Sequence, residues 1–226
     1  MIRHLTVVAL LACLTLPALA APPDLFALKD QLRAYMAPGG EYDRELAAAD
    51  GDARTWLDSH LRKASKPALV LDIDETALSN REQILADDFA YMPGWYCEAG
   101  AKLGFCAALA WDALERAPAI APTLALFNDA RKRGVAVFFI TGRRNAERDV
   151  TIGNLRRAGY AGWTALYMRK DDAPAETALA YKSRTRAQIE AKGFHIVADV
   201  GDQQSDLDGG HAGHPVKLPN PFYFVP

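Results

Sequence analysis

Short apolar runs alternate with longer amphipathic stretches along most of this chain. ALVLDI, residues 68–73, is an unbroken apolar run, the pattern of a strand buried on both faces. A helix predicted over 122–133 ends at Gly134, and VAVFFI, 135–140, supplies a second strand. A helix over 145–158 ends at Gly159, and a weaker strand follows at 165–168. A helix over 177–192 stops at Gly193, and FHIVADV, 194–200, reads as the last strong strand. Strands alternating with helices of this length predict an α/β protein with a parallel sheet.

Two regions break that rhythm. Residues 24–64 read as helices, with Leu25, Leu28, Leu32 and Tyr35 at helical spacing and Leu46, Trp56, Leu57 and Leu61 less regular; Lys66-Pro67 ends them. Residues 77–117 lie between the first two strands and carry Phe89, Tyr91, Trp95, Tyr96, Phe105 and Trp111. They read as an insertion. Its aromatics are either its own core or a platform for a flat ligand. The expected division is 1–20, 21–65 and 66–226, with the insertion inside the last.

The first twenty residues form a separate unit. Arg3 and His4 precede an apolar run from Leu5 to Leu16, followed by Pro17 and the triplet Ala18-Leu19-Ala20. This is the layout of a secretory signal peptide cleaved after Ala20, and the run is too short for a membrane span. Leu10-Leu11-Ala12-Cys13 offers a second reading, lipidation at Cys13. The expected destination is therefore periplasmic or secreted, or lipid-anchored, with no transmembrane span once the signal is removed. Removing the segment leaves Cys97 and Cys106, close enough in sequence to close a small loop in an oxidising compartment or to remain two thiols.

Composition changes the picture only by exclusion. The 226 residues carry 26 Lys+Arg against 28 Asp+Glu, a formal charge of −2. That near-neutral balance gives no basic face for a nucleic-acid polymer. No Cys or His pairs stand at zinc-ligand spacing, and His211 and His214 read as an exposed pair in a Gly-rich loop.

The chemistry sits after the strands. The first ends in Asp72-Ile73-Asp74-Glu75-Thr76, the second in Thr141-Gly142-Arg143, the last in Gly201-Asp202-Gln203-Gln204-Ser205-Asp206. In an open parallel sheet, ligands bind outside the carboxyl ends of the strands. Each cluster alone is an ordinary turn or polar loop; three on one edge make a site. Asp72, Asp202 and Asp206 would crowd carboxylates together, which a cation relieves, and an oxygen-only set suits Mg²⁺. Thr141 and Gly142 precede a predicted helix whose first N–H groups would hold a phosphate.

LDIDET, FFITGRR, YKSRTR and GDQQSDL resemble the four motifs of the haloacid dehalogenase superfamily, and most closely its acid phosphatase branch, subfamily IIIB, which includes vegetative storage proteins. DIDETALSN, APAIAPTLALFNDARKRG, NLRRAGY and KLPNPFYF extend the likeness over about 66–225. The resemblance implies a Rossmann-like parallel sheet with helices on both faces and a small helical cap inserted after the first strand. It implies an acid phosphatase working on small phosphomonoesters, 5′-nucleotides among the candidates. Asp72 matches the nucleophile that becomes aspartyl-phosphate, and Asp74 the acid that protonates the leaving alcohol. Thr141 matches the phosphoryl-binding hydroxyl and Lys182 the motif lysine. Asp202 and Asp206 match the metal-binding acids, with Asp72 and the Asp74 carbonyl completing a Mg²⁺ shell. Lys170 competes with Lys182 but reads as a solvated loop residue. Gly142 and Arg143 are candidate substrate contacts, Arg143 being equally a charge-balancing group, and Arg148 reads as structural. A non-catalytic storage or binding protein is the rival reading. An Arg-His-Gly phosphatase motif and a nucleotide P-loop are both missing from the sequence. Oligomeric state is not legible.

Overall fold

A computed structural model describes residues 24–100, 102–172 and 176–225. The signal segment and Cys13 lie outside the described residues. Asp24 caps α1 (Leu25–Tyr35), its carboxylate accepting from Ala27 N at 2.8 Å. In α2 (Glu41–His60), Tyr42, Leu46, Ala53 and Leu57 recur at helical spacing and are buried. They join the same core as the sheet, so α2 belongs to the body. The α1 helix buries no residue fully; its Lys29 and Arg33 pair instead with Asp88 of the insertion.

Next come β1 (Pro67–Leu71), then the insertion with α3 (Arg81–Ala86), β2 (Cys97–Ala99), β3 (Leu103–Cys106) and α4 (Ala108–Leu114). The body resumes with α5 (Ala121–Lys132), β4 (Ala136–Arg144), α6 (Arg148–Arg157), β5 (Ala165–Arg169), α7 (Ala178–Ala191), β6 (His195–Gly201), α8 (Gln204–Leu207) and β7 (His214–Lys217). Five strands pair in the order β5-β4-β1-β6-β7, all parallel. Alternation along the strands divides the core. Leu69, Leu71, Val137, Phe139 and Val200 face the side that carries Leu57 of α2 and Phe127 of α5. Ala68, Val70, Phe138 and Ile140 face Tyr181 and Ile189 of α7. Covered on both sides, β1 is apolar until it ends, while β6 carries one buried acid within it, Asp199, against Arg186.

Three details differ from expectation. The insertion contains an antiparallel hairpin, β2–β3, whose facing residues Cys97 and Cys106 form a disulfide; three- and four-residue strands are too short to show a period in sequence. Strand β4 extends through Arg144, and a 3₁₀ turn over Asn145–Glu147 separates it from α6. The α6 N-terminus therefore does not adjoin Thr141 and Gly142, and its N–H groups are not the expected phosphate cradle. Finally, His214 opens the edge strand β7, half-buried and stacked on Trp56 at 4.2 Å, while His211 is exposed beside Glu190. Among the described residues, no helix is long and apolar enough to cross a membrane.

Candidate active site

The β1–β6 ladder continues one step past β1, where Asp72 N donates to Val200 O at 3.0 Å. That bond puts the Asp72 side chain at the carboxyl edge of the sheet. The chain then turns sharply, Ile73 O accepting from the N–H groups of Thr76, Ala77 and Leu78. Glu75 takes up the turn at φ 50°. At the end of β6, Gly201 is required by close packing, since a Cβ there would lie 2.4 Å from the Asp206 carboxylate. Asp206 Oδ2 in turn accepts from Gln203 N at 2.8 Å, fixing the short turn of α8.

Asp72, Asp202 and Asp206 are all buried, and each offers an oxygen within 4.8 Å of the others. Lys182 reaches them from the inner face of α7. Its Nζ donates to Asp72 Oδ1 at 2.6 Å and to Asp206 Oδ1 at 2.5 Å. Burial alone would lower the lysine, but the two carboxylates outweigh it and hold Lys182 above its ordinary value. Burial pushes Asp72 well up, and the charges of Asp206, Asp202 and Asp74 push the same way against Lys182. Burial and then Asp206 raise Asp202 as well. One ammonium among three buried carboxylates leaves an excess of negative charge. A hard divalent cation with oxygen preference fits this donor set.

Asp202 is oriented by neighbours. Its Oδ2 accepts from Gln203 Nε2 and Asn220 Nδ2, both at 2.6 Å, and Oδ1 accepts from Thr76 Oγ1 at 3.2 Å. Asp74 is held differently. Arg143 Nε lies 3.0 Å from Asp74 Oδ2 and Nη2 2.6 Å from Oδ1, a bidentate pair, and Asn80 Nδ2 donates to Oδ1 at 3.0 Å. Burial raises Asp74, but the charge and hydrogen bonds of Arg143 with Asn80 outweigh it, leaving the carboxyl below its ordinary value.

Arg143 also pairs with Asp112 of α4 at 2.8 Å and reaches Thr151 Oγ1 at 3.4 Å. Its Nε and Nη2 are engaged by Asp74 and Asp112, an arrangement that balances their charge, and the residue also lines the cavity. Burial lifts Asp112 to about 7 against the pull of Arg143. Thr141 is fully buried, its hydroxyl oxygen accepting from Arg143 N at 3.1 Å, whereas Gly142 and Arg143 line the cavity beside it. Lys170 is exposed on the surface, and Arg148 bonds Asn145 and Leu166 O.

The acids form the floor of a cavity of about 630 Å³, walled by Phe89 and Tyr91 of the insertion and by Phe222, Tyr223 and Phe224 of the C-terminal segment. Trp111 is buried in the core shared with the sheet and also lines the cavity, while Trp95, Tyr96 and Phe105 are largely exposed. Packing accounts for Trp111, and Phe89 and Tyr91 stand on the cavity wall. Sequence reasoning missed Glu75, which takes Asn80 N at 2.7 Å and Tyr223 Oη at 2.6 Å. It also missed Asn80, which bonds Asp74 and Glu75 within its own turn, and Asp112 and Asn220, whose partners Arg143 and Asp202 lie farther along the chain.

The model of the HAD superfamily, subfamily IIIB (acid phosphatase), matches residues 26–226. The chain belongs to this family. Its members are phosphoric monoester hydrolases, and the parallel sheet with its inserted cap is their fold. Acid phosphatase 1 of Solanum lycopersicum is 34% identical over 198 residues, 87% of this chain and 74% of that protein. Vegetative storage protein 1 of Arabidopsis thaliana is 34% identical over 112 residues, 50% of this chain and 41% of that one. The class C acid phosphatase from Bacillus anthracis, solved with tungstate bound, superposes with a TM-score of 0.66, covering 87% of this chain and 86% of that one at 21% identity.

Proposed function

We propose that this protein is an exported, Mg²⁺-dependent phosphomonoesterase that works through an aspartyl-phosphate on Asp72. The observation that carries the reading is the cluster of Asp72, Asp202 and Asp206 around Lys182 on the cavity floor. An Asp72 carboxylate oxygen forms a bond to phosphorus as the bond from phosphorus to the leaving oxygen breaks. Arg143 and Asn80 favour the Asp74 carboxylate in the free protein, so Asp74 must take up a proton before the step. It then gives that proton to the leaving oxygen, and the alcohol departs neutral. Water then attacks the phosphorus of the acyl phosphate, Asp74 takes the water's proton, and phosphate and free Asp72 result. Lys182 neutralises Asp72 and the approaching phosphoryl oxygens, offsetting the repulsion between two anions. Asp72, Asp202, Asp206 and the Asp74 carbonyl would hold Mg²⁺, which supplies further positive charge to the phosphoryl oxygens.

Phe89, Tyr91 and Phe224 give the cavity flat apolar walls, supporting an aryl or nucleoside leaving group. Export is supported by the signal-like first twenty residues and by the Cys97–Cys106 disulfide. N-terminal analysis of the exported protein should find Ala21 first; a lipid-modified Cys13 would replace that reading with the anchored one. The storage reading draws on the vegetative storage relatives, yet each motif acid is present here.

The test is phosphate release from a panel of phosphomonoesters with Mg²⁺, with EDTA, and in Asp72→Asn. Release that needs metal and disappears in Asp72→Asn is expected. Turnover by Asp72→Asn would overturn the nucleophile, and inertness of the folded, metal-loaded protein toward all esters would favour storage. Nucleotides cleaved no faster than aryl or sugar phosphates would remove the nucleoside preference.

A further inference from the structure

Two side chains grip Asp74, and each is held in turn by a residue of the cap. Asn80 donates to Asp74 through Nδ2, and its own Oδ1 accepts from Trp111 Nε1 at 2.8 Å. Arg143 lies bidentate on Asp74, and its Nη2 pairs with Asp112 Oδ1 at 2.8 Å. Trp111 and Asp112 are consecutive residues of α4, the indole 1% exposed. One helix therefore reaches Asp74 by two routes, one neutral and one charged.

Each route restricts orientation. Indole N–H only donates, so the Asn80 amide must present its oxygen to Trp111 and its nitrogen to Asp74. Asn80 Nδ2 also donates to Glu75 Oε2 at 3.1 Å, so losing the indole leaves Asn80 Oδ1 unpartnered and the amide held from its nitrogen side alone. Asp112 braces the Arg143 guanidinium by charge, its Oδ1 2.8 Å from the same Nη2 that bonds Asp74. The same two residues also line the cavity where the leaving group would sit.

We propose that Trp111 and Asp112 are positioning residues that align Asp74 for proton transfer to the leaving oxygen. This rests on Asp74 being the acid. An aligned acid matters most when the leaving group is a poor one, because a good leaving group departs without a proton. A residue that merely holds the fold together would affect every ester alike.

The experiment compares kcat/KM for an alkyl phosphate and for p-nitrophenyl phosphate in Trp111→Phe, Asp112→Ala and Asp74→Asn. Thermal unfolding is followed for each, and Asp112→Asn replaces Asp112→Ala if the latter does not fold. Trp111→Phe and the Asp112 variant should each lose about tenfold or more on the alkyl ester and less than about threefold on the aryl ester. Asp74→Asn should show the same selectivity more strongly. If Asp74→Asn is selective while the α4 variants lose both esters equally or neither, the positioning role is overturned and the acid stands. Should Asp74→Asn itself lose both equally, the acid assignment falls, and the α4 proposal with it.

Discussion

Lys182 and Asp72 stand 110 residues apart in the chain and 2.6 Å apart in space, with Asp206 sharing the same ammonium. Both ends are buried, and the pair joins α7 to the end of β1. Removing one side of such a pair leaves the other as an uncompensated buried charge, at a cost of about 3–5 kcal/mol. Lys182→Met should therefore unfold at lower urea than the parent in EDTA, and saturating Mg²⁺ should recover part of the difference. Equal denaturation midpoints for parent and variant in EDTA would show that the lysine does not offset these carboxylates.

Asn220 bears on the same cluster from the C-terminal segment. It supplies one of two amide donors to Asp202 Oδ2. Groups that orient a metal-binding carboxylate typically change metal affinity by about 10–100-fold when removed. Asn220→Ala should shift the Mg²⁺ titration of activity, and of thermal stabilisation, to higher concentration by about tenfold. Unaltered titrations would mean Gln203 suffices to orient Asp202.

Far from the site, Asp50 gives stability a pH dependence. It is buried in α2, Oδ2 accepts from Thr123 Oγ1 at 2.8 Å, and Oδ1 has no hydrogen-bond partner among the described residues. Burial, opposed by the Thr123 bond, lifts it to about 7. The folded value exceeds the unfolded one, about 3.9. The native state thus holds an extra proton between those values, and stability falls as pH rises from about 4 to about 7. Subtracting the unfolding free energies of Asp50→Asn from those of the parent should isolate that slope, on the order of a few kcal/mol across the window. A flat difference would place the ionised carboxylate in the native state throughout.

Arg186 is another buried charge. It is 1% exposed, lies 3.1 Å from Asp199 without hydrogen-bond alignment, and donates to the carbonyls of Asp206, Asp208 and Gly210. Arg186→Met should cost about 3–5 kcal/mol in urea unfolding, because Asp199 and the loop carbonyls lose their partner. Arg186→Lys should recover only part, since a point charge cannot serve several carbonyls at once. Full recovery by lysine would reduce the role to charge alone.

The sheet was legible because its strands are buried on both faces and so read as unbroken apolar runs, ALVL and VFFI most plainly. The acids were legible because each follows such a run. What stayed hidden depends on contacts made across the chain. HPVK buries only Val216 in β7, too little to signal a strand. Gly142 in TGR looked like the entry to a helix, yet β4 carries the segment onward beside β5, where Arg144 pairs with Arg169. Arg143 could not be assigned because Asp112, which takes up its other side, belongs to the insertion. Asn80 and Asn220 sit in stretches marked only by family likeness; Asn80 meets Asp74 and Glu75 through a local turn, whereas its contact with Trp111 and that of Asn220 with Asp202 come from tertiary packing.

The C-terminal segment has a consequence in time as well as in space. Tyr223 bonds Glu75 from 148 residues away, Val225 N donates to Gln203 Oε1, and Asn220 holds Asp202. A chain synthesised from its N-terminus carries Asp72 and Asp74 long before it carries the residues that wall and brace them. Closure of the cavity is thus deferred until residues 220–225 have been made, so a nascent chain, or one cut short before Asn220, holds Asp72 and Asp74 without the finished pocket around them.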